Sequence, residues 1–347
     1  MKIKILIKQS LFPILMSVFF VVHGQTGFQT NSFFDNAETM SLSVSDITLG
    51  GEVNSPGTVK LSALPLRTVI VKETVLDENN NASFVGAYRY DGYSLVDIVN
   101  SFYVAKKNAK EFPPLVDLYI IVENDMGEKV VLSWGELYYA NNQHSIIIAT
   151  KVMRIVPEKT KDQWPLPVDF KLVVSNDFLT VRNISNPTKI TVKTFEKKME
   201  IEQGKFPMTA EEVDIWIKGE LKTTYKKLPE HIATTLHTVF YGKGRGLHSL
   251  EPFTGYNVKE MLEEYISINK ETLMNGIVLF GAEDGYRAVF TMSELCNRND
   301  QQYSLLLFND ADQEKGKFRI YPSCDFFSDR SIKGLTDIWF YPLNLAE

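Results

Sequence analysis

Cysteine is scarce in this chain of 347 residues, which contains only Cys296 and Cys324. Two cysteines at this spacing form neither a CxxC redox motif nor a cysteine-based zinc framework. In an oxidising compartment the pair is a candidate disulfide that would stabilise the loop between them. Two free, buried thiols are the alternative, and the sequence leaves both open.

Catalytic signatures are also missing. The sequence contains neither a Gly-x-Ser-x-Gly nucleophile motif nor an HExxH metalloprotease motif. Among the five histidines, the spacing of His231, His237 and His248 does not place them on one helix or strand face. We therefore predict no metal site and no catalytic residue, and the sequence argues against an enzyme.

Long apolar runs are absent beyond the first residues of the chain. Three lysines precede the apolar stretch Leu11–Val22. A basic start followed by a short apolar stretch is typical of a secretory signal peptide, here residues 1–24, because a membrane span needs about 20 apolar residues. A retained N-terminal anchor is the alternative. We expect an exported protein, periplasmic or extracellular, with no membrane span after cleavage.

Basic charge is in short supply. The net charge is −6, and removal of residues 1–24, which hold three lysines and no acid, makes it −9. Nucleic acids and anionic membranes select basic surfaces. The composition therefore argues against nucleic acid as a partner and leaves an unknown small molecule or protein.

The chain does have extensive self-similarity. Asp91–Asp97 returns as Thr254–Glu260, and Ser133–Leu137 returns as Thr291–Leu295. The offset between the copies shrinks from 163 to 158 residues, as expected for diverged copies with small deletions in the second. The chain is therefore predicted to consist of two tandem copies of one domain.

The domain boundaries follow from composition. We predict a flexible leader at residues 25–45, which are rich in Asn, Ser, Thr and Gln. The remaining segments are repeat 1 at 46–195, a Lys- and Glu-rich linker at 196–210, and repeat 2 at 211–347.

Helix starts occur at matching places in the two copies. Ser133 and Glu136 form a capping-box pattern, and Thr291 and Glu294 repeat it. Ser94 is expected to be the N-cap of an earlier helix. These signals predict local structure and say nothing about chemistry.

The order of the motifs resembles that of a known family. The first copy has a strand at Gly51–Val53 before a proline turn, helix starts at Gly92–Ile98 and Ser133–Leu137, and closing segments at Phe170–Asp177 and Val181–Ile184. This order resembles the oxidoreductase molybdopterin-binding domain family, the fold of sulfite oxidase and its relatives. The resemblance covers nearly all of copy one and, more loosely, copy two. It implies an α+β fold with two tandem mixed-sheet domains.

The chain departs from this family at the metal ligand. The resemblance implies that active members hold molybdenum through a cysteine thiolate just after the strand corresponding to Val69–Val71. The residues here are Lys72 and Glu73, and the equivalent loop of the second copy is Tyr241–Arg245. No cofactor is therefore predicted, and molybdopterin binding would have to proceed without the cysteine.

The most suggestive polar stretch is the glycine-rich segment Gly242–His248. Alternating glycines free the backbone to approach a ligand, and Lys243, Arg245 and His248 could hold an anion such as phosphate or carboxylate. Lys72 and Glu73 are candidates at the corresponding place in copy one. The alternative is a flexible loop with solvated basic tips.

These observations favour an exported, non-catalytic binding or interaction protein on a degenerate molybdopterin-binding-domain scaffold, which recognises an anionic small molecule. The alternative is a molybdopterin-dependent oxidoreductase with atypical cofactor binding. A purely structural component is a third possibility.

Overall fold

The computed structural model describes residues 34–202, 204–228 and 233–346. The predicted signal peptide and the first part of the predicted leader lie outside these residues. Within the leader, Thr39–Ser41 forms strand β1, which pairs with a strand of the first repeat at Lys151–Met153. The backbone of this part of the predicted leader therefore belongs to a sheet.

The described part of the first half contains ten strands and two short α-helices. The strands are β1 (Thr39–Ser41), β2 (Thr48–Gly51), β3 (Gly57–Thr58), β4 (Leu66–Leu76), β5 (Ala82–Ser94), β6 (Leu118–Asn124), β7 (Lys129–Ser133), β8 (Ile146–Arg154), β9 (Lys171–Val174) and β10 (Pro187–Thr194). The helices are α1 (Leu95–Asn100) and α2 (Trp134–Tyr138).

The described part of the second half contains eleven strands and four short helices. The strands are β11 (Val213–Ile217), β12 (Glu220–Tyr225), β13 (Ala233–Leu236), β14 (Phe240–Gly242), β15 (Gly246–Ser249), β16 (Phe253–Asn257), β17 (Gly276–Ala282), β18 (Arg287–Thr291), β19 (Leu305–Phe308), β20 (Phe318–Tyr321) and β21 (Leu335–Pro342). The helices are α3 (Val258–Glu263), α4 (Lys270–Asn275), α5 (Met292–Cys296) and α6 (Leu343–Ala346).

The two halves have the same strand order. Sheet I is β3-β2-β10-β6-β7, and its counterpart, sheet III, is β12-β11-β21-β17-β18. In both, the opening strand of the repeat pairs in parallel with the closing strand, while the other pairings are antiparallel. Sheet II is β1-β8-β5-β4 with β9 on β8, and sheet IV is β13-β16-β19-β20. The linker at 196–210 has no strand or helix among its described residues.

The expected α+β fold of the sulfite oxidase type is wrong. Strands make up 43% of the structure and helices 13%, and the small sheets form a propeller-like ring. The predicted helix starts are correct, since Ser133 and Thr291 complete capping boxes and Ser94 is an N-cap. The helices they open have only five or six residues, too short to form a layer that covers a sheet. Local capping signals mark where a helix begins and do not set its length.

Sheets I and III pack against each other at the junction between the repeats. Tyr119, Ile121 and Val131 of sheet I lie in one buried cluster with Ile277, Leu279 and Val289 of sheet III. Each repeat also has its own larger core between its two sheets. The apolar junction makes the repeats one packed unit, because burial of these side chains is lost if the halves separate.

Two arginines lie at the end of this junction. Arg182 donates to Asp177 at 2.7 Å and to Glu136 at 3.0 Å. Its counterpart in the second repeat, Arg330, is 1% exposed and pairs with Asp325 and Glu294. We call these six residues the arginine cluster.

The two halves of the arginine cluster are joined through the capping boxes. The hydroxyl of Ser133, in the first repeat, donates to Glu294 in the second at 2.7 Å. In the reverse direction, the hydroxyl of Thr291 donates to Glu136 at 3.4 Å. Gly135 allows this approach, since a Cβ there would lie 2.0 Å from Cζ of Arg330.

Burial changes the acidity of this cluster. Loss of hydration raises the pKa of Glu136 to about 7 and that of Asp325 to about 6. Four carboxylates surround two guanidinium groups, so full ionisation would leave excess negative charge in a buried place. A proton bound near neutral pH relieves that excess.

Substitution of Arg182 tests the role of the arginine cluster. Arg182→Met should lower the free energy of unfolding by about 3–5 kcal/mol, because Asp177 and Glu136 are left buried without their cation. Denaturant unfolding measures this loss. The matched control is Lys107→Met, which removes a cation from an exposed pair with Glu196 and should have little effect. Equal effects of the two substitutions would contradict a stabilising role for the cluster.

Candidate functional site

The glycine-rich segment forms a β-hairpin. Strands β14 and β15 pair antiparallel, with Gly242 opposite Gly246, and the exposed Lys243 and Arg245 lie in the turn between them. Gly246 has a φ of +73°, which glycine adopts without strain, and a Cβ on Gly242 would lie 2.3 Å from Nε2 of His248. The glycines therefore serve the hairpin turn and its close side-chain packing, and His248 is exposed on its flank.

Lys72 and Glu73 are separated by the geometry of strand β4. Successive side chains of a strand point to opposite faces, so Lys72 is exposed while Glu73 is buried. The carboxylate of Glu73 accepts hydrogen bonds from Lys171 at 2.8 Å, Tyr90 at 3.1 Å and Asn183 at 3.0 Å. Glu73 is therefore fully engaged within the first repeat, and neither residue shares a sheet with the hairpin.

A pocket of about 250 Å³ lies on sheet IV in the second repeat. Its charged lining residues are Asp312, Lys315, Lys317, Arg319 and Lys333. Its apolar lining residues are Pro252, Phe253, Leu307 and Phe308. We call it the basic pocket.

Arg319 is the central cation of the basic pocket. Its guanidinium lies over the rings of Phe240 and Phe253, with Cζ 4.5 Å and 5.5 Å from the ring centres. Nε donates to Ser331 at 2.9 Å, while Nη2 is buried without a hydrogen-bond partner. Burial lowers the pKa of Arg319 to about 10. Among the described residues, no carboxylate forms an ion pair with it.

Lys315 and Lys333 add positive charge without neutralising partners. Neither forms an ion pair within the part of the chain that the structure describes, whereas Lys317 pairs with Asp310 and Glu211. The pKa of Lys333 is lowered by loss of hydration and by the charges of Arg319, Lys315 and Arg245. Arg245, predicted from the sequence as an anion ligand, therefore lies close enough to add to the same positive field.

Asp312 is the only acid in the lining. Its Oδ1 accepts from the backbone amides of Glu314 at 3.1 Å and Lys315 at 2.8 Å. These bonds hold the carboxylate in a local turn. Among the described residues, no acid forms an ion pair with Arg319, Lys315 or Lys333, so Asp312 leaves the basic pocket with a net positive charge.

The first repeat shows how the same position is neutralised internally. Lys171 pairs with Ala149 on β8, and Arg319 pairs with Leu307 on β19, so they occupy the same place in sheets II and IV. Lys171 has Glu73 as its counter-ion and lies over the ring of Tyr90 at 5.7 Å. The first repeat thus contains a closed, charge-balanced version of the site.

The second repeat has lost each of these neutralising groups. Phe253 pairs with Leu236 on β13, and Tyr90 pairs with Val69 on β4. These strand pairs are equivalent in sheets IV and II, so Phe253 occupies the place of Tyr90. Phe240 lies beyond the end of β13, on β14, and contacts the guanidinium of Arg319 as Glu73 contacts Lys171. Lys333, which pairs with Arg319, takes the place of Ser185, which pairs with Lys171. The second repeat therefore lacks the acid and the phenol and has an additional lysine.

The arrangement suits an anion. A poorly hydrated cation without a counter-ion is costly, and a bound anion with matching hydrogen-bond acceptors offsets that cost. The sequence predicted an anion site near the hairpin and missed Arg319, Lys315 and Lys333. Alignment of Phe170-Lys171-Leu172 with Phe318-Arg319-Ile320 could have indicated Arg319, but the missing counter-ion lies on strands distant in sequence.

Both cysteines are free thiols in the structure, and of the two only Cys296 is fully buried. Cys296 is buried, and loss of hydration raises its pKa. Burial also raises the pKa of Cys324, to about 11, and its thiol donates to the carbonyl of Gln302 at 3.0 Å. The described residues contain no cluster of three or more metal-ligating side chains, and His231 lies outside them.

No protein-family model, curated protein or solved structure matches this chain. In the described ranges, no helix has the length and apolar character that crossing a membrane requires. The site is therefore interpreted from its geometry alone.

The matched positions 171 and 319 give opposite predictions for stability. Lys171→Met should lower the free energy of unfolding by about 3 kcal/mol, because Glu73 is left as a buried, unpaired carboxylate. Arg319→Met should leave it unchanged or raise it by up to about 1 kcal/mol, since removal of a poorly hydrated charge offsets the lost cation–π contacts.

Denaturant unfolding of the two variants measures this difference. A loss of several kcal/mol in Arg319→Met would show that Arg319 is already satisfied within the protein and would contradict an open anion site.

Proposed function

We propose that this chain is a non-catalytic binding protein that holds a small anion in the basic pocket of its second repeat. The single observation that carries the proposal is Arg319, which has no carboxylate partner in the described part of the chain, whereas its counterpart Lys171 has Glu73. Small-molecule sites combine apolar walls with a few placed polar groups, and the basic pocket has both.

The charge distribution supports an anionic ligand. The whole chain has a net charge of −6, yet Arg245, Lys315, Arg319 and Lys333 form a local positive field. A cleft lined by one sign of charge raises the local concentration of ions of the opposite sign. Maintaining such a site in an acidic protein suits the capture of an anion.

The lining supports binding over chemistry. Among its described lining residues, Thr254 is the only hydroxyl side chain, its hydroxyl is bonded to Thr235, and Asp312 is the only acid. Nucleophilic catalysis needs a nucleophile within reach of a base, and the basic pocket supplies no such pair. The oxidoreductase alternative depended on the sulfite oxidase resemblance, and the fold does not support it. We also infer export, on the basis of the basic and apolar pattern at residues 1–24.

Binding of inorganic phosphate and sulfate tests the proposal. Isothermal titration calorimetry should detect binding of phosphate, and thermal unfolding should shift upward at millimolar phosphate because the ligand binds only the folded state. Arg319→Met should weaken binding at least tenfold. Arg245→Ala should weaken it less, because Arg245 acts on the pocket through its charge.

The matched control is Lys72→Met, which removes an exposed cation from the first repeat and should leave phosphate affinity unchanged. Absence of any heat or thermal shift with phosphate, sulfate and acetate would overturn the proposed function. Equal losses in Arg319→Met and Lys72→Met would show a nonspecific charge effect and would also overturn it.

A further inference from the structure

The apolar walls of the basic pocket indicate that the ligand has an apolar group besides its anionic one. Phe253 on β16 and Leu307 on the adjacent β19 are half-buried, and Pro252 completes this side. Half-exposed rings at a pocket wall offer faces and edges against which an apolar group can pack. A bare inorganic ion would leave these surfaces in contact with water.

The charges of the basic pocket indicate how much negative charge the anionic group of the ligand carries. Arg319, Lys315 and Lys333 lack acid partners among the described residues, and Asp312 is the only opposing charge. The excess is about two positive charges. A phosphate monoester carries about −1.5 to −2 at pH 7, whereas a carboxylate carries −1. The dianion therefore balances the pocket better.

The volume limits the size of the ligand. The pocket measures about 250 Å³, roughly the share of eight waters at about 30 Å³ each. A phosphate joined to one ring fits this space. Larger groups would have to extend into solvent.

We infer that the ligand of the basic pocket is a phosphate monoester of a compact apolar group the size of one ring. This inference rests on the proposed anion-binding function and specifies its ligand class. The phosphate lies against Arg319, Lys315 and Lys333, and the ring packs on Phe253 and Leu307, which lie on the same face of sheet IV as Arg319.

Calorimetric titration of the full-length protein with phenyl phosphate, inorganic phosphate and benzoate tests the inference. Phenyl phosphate should bind about tenfold more tightly than inorganic phosphate, because the ring adds apolar burial. Benzoate should bind more weakly than phenyl phosphate, because it neutralises only one charge.

A variant separates ring packing from charge. Leu307→Ala should reduce the ratio of phenyl phosphate to phosphate affinity from about tenfold to about twofold. Near-ultraviolet circular dichroism checks that the variant is folded, and Phe253→Leu provides a second wall substitution if Leu307→Ala does not fold. A ratio that stays at tenfold in a folded wall variant would overturn the placement of the ring.

The outcomes distinguish this inference from the function it rests on. Equal affinity for phosphate and phenyl phosphate would overturn the ester and leave anion binding in place. Benzoate binding as tightly as phenyl phosphate would overturn the phosphate head group. No binding of any of the three would overturn the anion-binding function itself.

Discussion

The buried arginine cluster is the constraint on which the arrangement of the two repeats depends. Arg182 and Arg330 are each 1% exposed, and each is held by two carboxylates of its own repeat. Their carboxylate partners accept hydroxyl bonds from the capping box of the other repeat. A buried charge without its partners is strongly unfavourable, so this network fixes how the halves meet. The apolar packing of sheets I and III adds buried apolar area, while the arginine cluster specifies how the two repeats are aligned.

The repeats match at their junction and differ at positions 171 and 319. In the first repeat Glu73 forms an ion pair with Lys171, so the charge of the lysine is neutralised within the fold. In the second, Phe240 and Phe253 surround Arg319 with aromatic rings, which hold the cation in place without neutralising it. The first repeat therefore has a neutralised lysine at this position, while the second has an arginine that is available to a ligand. The two repeats can differ at this position because the junction between them supplies stability to both.

The sequence predicted local features well and long-range ones poorly. The capping boxes at Ser133 and Thr291 determine helix starts through contacts three residues apart, so they were predictable. The length of those helices and the pairing of β2 with β10 depend on distant segments, and the expected fold was wrong. The segment Gly242–His248 was predicted as a ligand loop, and in the structure its glycines form a hairpin on this side of the second repeat. Arg319 was missed because its significance is the absence of an acid, which only the paired strands reveal.

In the described part of the second repeat, no carboxylate pairs with Arg319 as Glu73 pairs with Lys171, which leaves the guanidinium open to an external anion. A phosphate titration of Phe240→Glu beside Phe240→Gln, with folding checked by circular dichroism, tests this directly. Phe240 contacts the guanidinium of Arg319, so a glutamate there can restore the internal counter-ion, while glutamine has the same shape without the charge. The account predicts that Phe240→Glu abolishes phosphate binding and that Phe240→Gln retains it. Equal phosphate binding by the two folded variants would contradict it.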